Sequence, residues 1–309
     1  IKETDAPMKA MSYDQLLDKV NFINSLYDSV RIVDPVEKTV LTEGKTLDLS
    51  ILRDKEKHST CHDIWKSGGI CTNCISMRAY NEGESFIKIE YDGEKPYIVT
   101  ALPVKLKNRT VILELLTLIE NPEIIGDFSN SPDSEIRRML EERNLDLVTD
   151  PLTGIFNKRY IYERLPHDML ESELSGQYLT LVMADIDYFK KVNDCHGHLA
   201  GDFILAKFAG LLKKSLRRDS DWVARFGGEE FLIVMNKTSS DTALEIIEGL
   251  RKAIEDEDNV YQGKDIKITS SFGMHTLADE EIDVDTLIQR ADRNLYAAKE
   301  AGRNKVVRN

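Results

Sequence analysis

The sequence predicts two mixed folds in tandem: a small α+β domain built on one sheet, then an α/β domain whose central mixed sheet is flanked by helices. Three observations carry this reading. A chain of 309 residues has room for two ordinary cores. A stretch rich in Pro, Asn, Ser and Gly, from Asn121 to Asp133, interrupts the periodic pattern and reads as a linker. Strand-like runs follow one another before it, whereas after it they alternate with amphipathic segments of helical length. The expected partition is therefore a domain over 1–125, a linker and helix over 126–148, and a second domain over 149–309.

In the first domain, residues 12–29 read as a helix. Ser12 can cap it with Gln15 three residues on, and Leu16, Val20, Ile23 and Tyr27 recur at helical spacing. Val30–Pro35 and Lys38–Leu41 read as a strand pair. Ser85–Tyr91, Pro96–Val104 and Thr110–Ile119 read as three more strands, joined by turns at Asp92-Gly93 and Lys107-Asn108. After the linker, a charged helix is expected from Asp133 or Ser134 to about Leu147. Its apolar residues Ile136, Leu140 and Leu147 stand close to heptad spacing, which fits a helix lying on its own domain and, better, a dimer-forming signalling helix.

The second domain opens at Asp150-Pro-Leu-Thr-Gly and continues with a helix from about Lys158 to Leu174. The run Leu179–Ala184 is apolar but for Thr180, which predicts a central strand buried on both faces. A helix is expected over Gly201–Leu216. Two strand-like runs then meet at Gly227-Gly228, a tight-hairpin signal because both glycines can take positive φ. A helix over Ser240–Glu255, a strand over Ile266–Gly273 and a last helix over Asp285–Ala301 complete the pattern.

A net charge of −13 argues against a general nucleic-acid or anionic-membrane surface. No apolar run approaches the ~20 residues needed to cross a bilayer, and the first residues do not read as a secretory signal. A cytoplasmic protein is expected. An anionic substrate would need bound cations and a few placed Lys or Arg residues.

The charges suggest such a site. Asp185 ends the predicted buried strand, and Glu229 and Glu230 sit at the predicted hairpin tip. Mg²⁺ takes oxygen ligands and leaves positions to water and phosphates. Two such ions can neutralise a triphosphate, activate a hydroxyl and stabilise departing pyrophosphate. Lys190, Lys299 and Arg303 are candidate phosphate clamps, the last two sharing a face if helix continues through them. Asn193 and Asp202 could read a base. A carboxylate accepts hydrogen bonds from the N1–H and N2–H₂ edge of guanine but faces adenine N1 badly, and such mismatches can discriminate by ~10⁴-fold.

Five stretches carry a resemblance: Asp150-Pro-Leu-Thr-Gly, Asp185-Ile-Asp-Tyr-Phe-Lys-Lys-Val-Asn-Asp, Gly197-His-Leu-Ala-Gly-Asp202, Arg225-Phe-Gly-Gly-Glu-Glu-Phe231, and the segment from Arg290 to Asn304. In this order they resemble the GGDEF family of diguanylate cyclases, with Gly-Gly-Glu-Glu-Phe as the signature. The resemblance implies a nucleotidyl-cyclase-like fold and condensation of two GTP into cyclic di-GMP, with two Mg²⁺ per active site in a homodimer. By that analogy Asp185, the Ile186 carbonyl and Glu229 hold metal, and Glu229 or Glu230 assists deprotonation of the ribose 3′-hydroxyl. Asn193 and Asp202 bind guanine; the Phe189 main chain, Lys190, Lys299 and Arg303 bind phosphates, with His198 nearby. Arg218 and Asp221 look like the family's inhibitory product site, with Gly249 where an Arg is frequent. Arg225 can instead pair with a nearby acid, and Asp187 can brace a loop. Two alternatives stand beside the cyclase: a catalytically silent GGDEF receptor for GTP or cyclic di-GMP, and a cyclase accepting ATP.

The first domain resembles a PAS sensor in its layout and its opening strand Val-Arg-Ile-Val-Asp. Its unusual feature is the segment from His58 to Cys74. Cys71-Thr-Asn-Cys74 can place two thiolates on one ion, and His58, Cys61 and His62 could complete a tetrahedral zinc set. Three thiolates also suit an iron–sulfur cluster, the pair alone a redox switch, and a plain reading is buried core cysteines. Cys195 is isolated and reads as incidental.

Overall fold

The protein, described by a computed structural model, divides into two compact units, Ile1–Leu145 and Asp146–Asn309. The structure describes residue 20 and residues 23–24, 26–43, 60–65, 71–92, 94–106, 109–119, 133–217, 220–277 and 282–308.

The first unit is one antiparallel sheet of β1 (Ser29–Asp34), β2 (Thr39–Glu43), β3 (Phe86–Tyr91), β4 (Pro96–Lys105) and β5 (Thr110–Leu118), in the order β2-β1-β5-β4-β3. Alternation along β5 splits its side chains between two clusters. Val111, Leu113 and Leu115 join Val30 and Ile32 on one face, while Ile112 and Leu116 join Val33, Trp65, Ile75 and Ala79 on the other. A 3₁₀ turn, Asp63–Trp65, and the helix α1 (Ile75–Glu82) supply that second face. Cys74 caps α1, its Sγ accepting the Met77 N–H at 3.5 Å, and Gly83 ends it at φ 71°. Of the helix expected over 12–29, Val20, Ile23 and Asn24 are helical and most of the rest lies outside the described residues. Its expected end is too late. Residues 26–28 are turn and bend, because Asp28 already donates its N–H to Leu116 O in the sheet. The helix α2 (Asp133–Val148) follows. Leu147 is half exposed, and the side chains of Ile136 and Leu140 lie outside the described set.

The second unit has a sheet of β6 (Leu179–Ile186), β7 (Trp222–Gly227), β8 (Glu230–Asn236), β11 (Ser270–Leu277) and β12 (Val306–Arg308), ordered β12-β11-β6-β8-β7. It is mixed: β12 runs parallel to β11, and the other pairs are antiparallel. A two-stranded ribbon, β9 (Val260–Tyr261) and β10 (Lys264–Asp265), stands apart. All eight residues of β6 are buried. Val182, Ala184 and Ile186 face one core, built with α4 (Phe189–His196), α5 (His198–Lys214) and α6 (Ser240–Asp256). Leu179, Leu181 and Met183 face the other, built with α3 (Lys158–Ser175) and α7 (Val284–Glu300).

Three local expectations are corrected. The hairpin turn is Gly228-Glu229, not Gly227-Gly228, because Gly227 still pairs with Glu230 across the ladder. Gly228 alone of the two glycines has positive φ, at 55°. The α5 helix begins at His198 rather than Gly201: Gly197, at φ 83°, ends α4 with its N–H on Asn193 O and lets the next helix start at once. The α7 helix stops at Glu300, and Gly302 at φ 103° turns the chain. Arg303 therefore does not share a helix face with Lys299.

Candidate active site

The acids gather at one end of the second sheet. Asp185 stands opposite Glu230 in the β6–β8 ladder, and Glu229 forms the adjoining hairpin tip. Lys299, in the last turn of α7, reaches over the sheet to place Nζ 2.9 Å from Asp185 Oδ2. Burial pushes the Asp185 carboxyl up to about 6; Lys299 opposes this, and the charges of Glu229 and Glu230 reinforce it. Burial also raises Glu230, against Lys299 and with help from Asp292 and Glu229. Lys158 adds a second, weaker positive charge beside Glu230. Three gathered carboxylates are the chemistry of a site that takes a cation, and oxygen donors on two adjacent strands fit Mg²⁺. Ile186 follows Asp185 at the end of β6.

Asp187 points elsewhere. Its oxygens accept from Thr269 Oγ1 and Ser271 Oγ, both at 2.7 Å, and from the Asn304 N–H at 3.0 Å. It braces the strand end against the loop after α7. Phe189 is buried at the start of α4, behind Tyr188 at φ 56°, and Lys190 is exposed. Arg303 lies with its guanidinium carbon 4.6 Å from the centre of the Tyr188 ring, a cation–π contact that sequence spacing did not reveal.

Asn193 on α4 and Asp202 on α5 are brought together by a close helix approach. A Cβ on Gly201 would lie 1.9 Å from Asn193 Oδ1 and 3.2 Å from the tip of Phe189, so any larger residue would push the Asn193 side chain from its place. His198 is one helical turn before Asp202, and both are exposed.

The hairpin is held from behind. Arg225 Nε donates to Gly228 O at 2.9 Å, and its Nη1 reaches both Asp150 carboxylate oxygens at 3.3 Å. Burial pushes the Asp150 carboxyl up, but hydrogen bonds from Thr153 and the charge of Arg225 hold it below the usual range. The Asp150-Pro-Leu-Thr-Gly turn thus fixes the turn that carries Glu229. The same segment touches the end of α2: Asn157 donates its N–H to Val148 O at 2.8 Å and its side-chain amide to Leu147 O at 3.1 Å.

Arg218 of the expected product site lies outside the described residues. The Asp221 side chain is only 1% exposed and internally committed, with Arg217 Nε and Nη2 at 2.9 and 2.8 Å and the Asn236 N–H at 3.1 Å. Its neighbour Arg217, unremarked in the sequence, takes the bidentate role.

Of the cysteine set, only part lies among the described residues. His58 lies outside the described residues. Among the described residues, Cys61, His62, Cys71 and Cys74 are not close enough for three of them to share an ion. The three thiols instead line a cavity of about 30 Å³ with Trp65, Ser76 and Lys88. Burial pushes Cys61 up to about 12 and Cys71 well above the usual thiol range. The group that does come close enough is His167, Asp168 and Glu171 on α3, but Asp168 is already taken by Arg164 Nε at 2.8 Å and Trp222 Nε1 at 2.7 Å.

Among the described residues, no helix is long and apolar enough to cross a membrane. Residues 147–305 match the family described as "Diguanylate cyclase, GGDEF domain". Diguanylate cyclase A of Treponema denticola is 34% identical over 330 aligned positions, which cover 94% of this chain and 87% of that protein. Diguanylate cyclase DgcP of Pseudomonas aeruginosa is 40% identical over 167 positions, 54% of this chain but 25% of the longer relative. Among solved structures, the coiled coil and GGDEF domain of Caulobacter crescentus DgcB, determined in complex with c-di-GMP, superposes with a TM-score of 0.55 at 27% identity, covering 60% of this chain and 98% of that one. The acids at the sheet end, the fold that presents them and these relatives agree: the chain belongs to the GGDEF family of diguanylate cyclases.

Proposed function

We propose that the protein condenses two molecules of GTP into cyclic di-GMP, releasing two pyrophosphates, and that it does so as a homodimer under the control of its first unit. The observation that carries the chemistry is the register of Asp185 against Glu230 with Glu229 at the adjoining tip. Asp185, the Ile186 carbonyl and Glu229 would hold Mg²⁺. Bound there, two magnesium ions would polarise the α-phosphate and neutralise the departing pyrophosphate. Glu229 or Glu230 takes the 3′-hydroxyl proton, and the raised basicity of Glu230 suits it to that work. Asn193 and Asp202 receive guanine beside the Gly201 contact. The Phe189 main chain, Lys190, Lys299 and Arg303 bind phosphates, and His198 stands near them. One such site presents one GTP, so two sites must face each other.

Chromatography of products from α-labelled GTP or ATP with Mg²⁺ tests this reading. Cyclic di-GMP is expected from GTP alone, with specific activity rising with protein concentration. Bound GTP with no product would establish a receptor module instead.

A PAS-like reading of the first unit is supported by its antiparallel sheet ordered β2-β1-β5-β4-β3, with helical segments between β2 and β3. Its link to α2 is a buried hydrogen bond, Asn73 Nδ2 to Asn144 Oδ1 at 3.2 Å. Asn73 lies between Cys71 and Cys74 at φ 57°, and Lys88 Nζ holds its carbonyl at 3.1 Å. Any change in the thiol-lined cavity is therefore felt by the residue that grips the signalling helix. Asn144→Leu leaves the Asn73 Nδ2 donor without this acceptor, while Oδ1 keeps its bond from Arg78, a defect of about 1–3 kcal/mol. It should alter basal cyclase activity several-fold, read as cyclic di-GMP formed per protomer. Activity within twofold of the parent would remove this route of control.

A further inference from the structure

The cation facing the acids belongs to the protein itself. Lys299 Nζ pairs with Asp185 Oδ2 at 2.9 Å, and the Asp185 side chain is only 9% exposed. Among the described residues, neither Glu229 nor Glu230 has a cation within 4.0 Å, although the charges of Lys299 and Lys158 are felt at Glu230. The ammonium group therefore stands where a divalent cation held by Asp185 and Glu229 would bring its charge. A lysine ammonium at hydrogen-bond distance from a carboxylate and a divalent ion on the same carboxylate repel each other strongly in a site so little exposed to water. Lysine differs from arginine here. Its charge is compact, its four-carbon stem is flexible, and it can swing to a new partner without leaving a planar fork unsatisfied. Lys299 is 28% exposed and lies one residue from the end of α7, so its stem has room to turn outward.

Resting on the reading of this sheet end as a magnesium–GTP site, we propose that Lys299 is an exchangeable counterion. It neutralises Asp185 while the site holds no metal, and it turns to the triphosphate when metal and nucleotide arrive together. The role is distinct from that of a plain phosphate clamp. A clamp affects nucleotide binding and leaves metal binding without nucleotide unchanged. An exchangeable counterion holds metal off until a phosphate gives the ammonium somewhere else to go. Metal and nucleotide then bind with positive coupling, and the coupling is reciprocal. The device keeps the acids from being filled by metal in a state that cannot react.

The test is Mn²⁺ binding by the whole chain, read from the electron paramagnetic resonance of free Mn²⁺, with and without a GTP analogue that cannot be cleaved at the α-phosphate. The parent should bind Mn²⁺ weakly alone and about tenfold more tightly with the analogue, within the usual range for coupled sites. Lys299→Met should bind Mn²⁺ about tenfold more tightly than the parent when no nucleotide is present, and should lose most of the enhancement by the analogue. Lys299→Arg should keep the parent's weak binding. The proposal is overturned if Lys299→Met and a second variant, Lys299→Gln, bind Mn²⁺ alone no better than the parent. A different failure, with no Mn²⁺ bound by the parent even beside the analogue, would strike the magnesium–GTP reading itself. Asp185→Asn, which removes the shared carboxylate, should abolish binding in both conditions.

Discussion

Asp185→Asn is expected to lower cyclic di-GMP formation by at least about 100-fold and, at neutral pH, to make the protein more stable. The first effect follows from removing a metal-holding oxygen, since the charge stabilisation a metal supplies is worth several kcal/mol. The second follows from what the carboxylate costs while no metal is bound. Burial raises its pKa from the ordinary 3.8 to about 6 despite the Lys299 ion pair. The folded protein thus holds this proton more tightly than the unfolded chain does. Stability from this group is complete below pH 3.8, declines as the carboxyl ionises, and is lost above about pH 6. A rise of that size corresponds to about 3 kcal/mol. That rise already includes the opposing Lys299 pair; discounted for the site's partial access to water, a net gain of about 1 kcal/mol is expected, or roughly 3 °C in melting temperature. The difference between variant and parent should be largest at pH 7 and close to nothing near pH 4. An inactive variant that melted below the parent at pH 7 would mean that the ion pair outweighs the burial.

The same site shows what a sequence can and cannot disclose. The strand β6 was legible because it is buried on both faces and so carries a run apolar but for Thr180, a signal that needs no partner to interpret. The acids of the site were legible because each ends a recognisable element. The brace behind them was only half legible. Arg225 was open to pairing with an acid, but its partner Asp150 lies 75 residues away, and only the fold selects it. Turn positions slipped by one residue where a ladder pair decided the matter, as at Gly227 with Glu230. The buried charges of the first unit were least legible. Arg31 alternates with apolar residues in β1 and so looks solvent-facing, yet it is 1% exposed. It is buried because Glu114 sits directly opposite in β5 and accepts from its Nε at 3.0 Å. Strand pairing between positions 83 residues apart is a property of topology, and no local pattern encodes it. The cysteines were legible only as a spacing. Cys71 and Cys74 stand three apart in the sequence, but that Cys61 joins them around one small cavity is set by the fold.

Gly273→Ala should be among the most damaging single substitutions in the second unit, although it adds one methyl group. Gly273 lies in β11 where α7 crosses the sheet. A Cβ there would sit 1.9 Å from the backbone N of Leu295, 2.3 Å from Ala291 O and 2.6 Å from the carbonyl carbon of Asn294. All three are backbone atoms of one helix, so no side chain can rotate aside. The helix must lift. Lifting it strips Leu287, Ala291 and Leu295 from their core and threatens the bond from Asn294 Nδ2 to Met274 O at 2.8 Å. Overpacking usually costs 1–3 kcal/mol, and a clash confined to backbone belongs at the upper end, about 3 kcal/mol. That corresponds to a fall of roughly 6–12 °C in melting temperature. The consequence reaches the site, because the helix that lifts is the one that delivers Lys299 to Asp185. Activity should therefore drop even at temperatures where the variant is fully folded. Gly249→Ala gives the contrast that isolates the cause. Gly249 is exposed within α6, and a Cβ there meets nothing within 4 Å. The same change should stabilise that helix by about 0.5–1 kcal/mol and leave turnover alone. Thermal melts of the two variants beside the parent decide the matter: opposite shifts are expected, and a Gly273→Ala protein melting within about 1 °C of the parent, on the order of the measurement error against the predicted fall, would show that α7 does not rest on the sheet as closely as the backbone distances require.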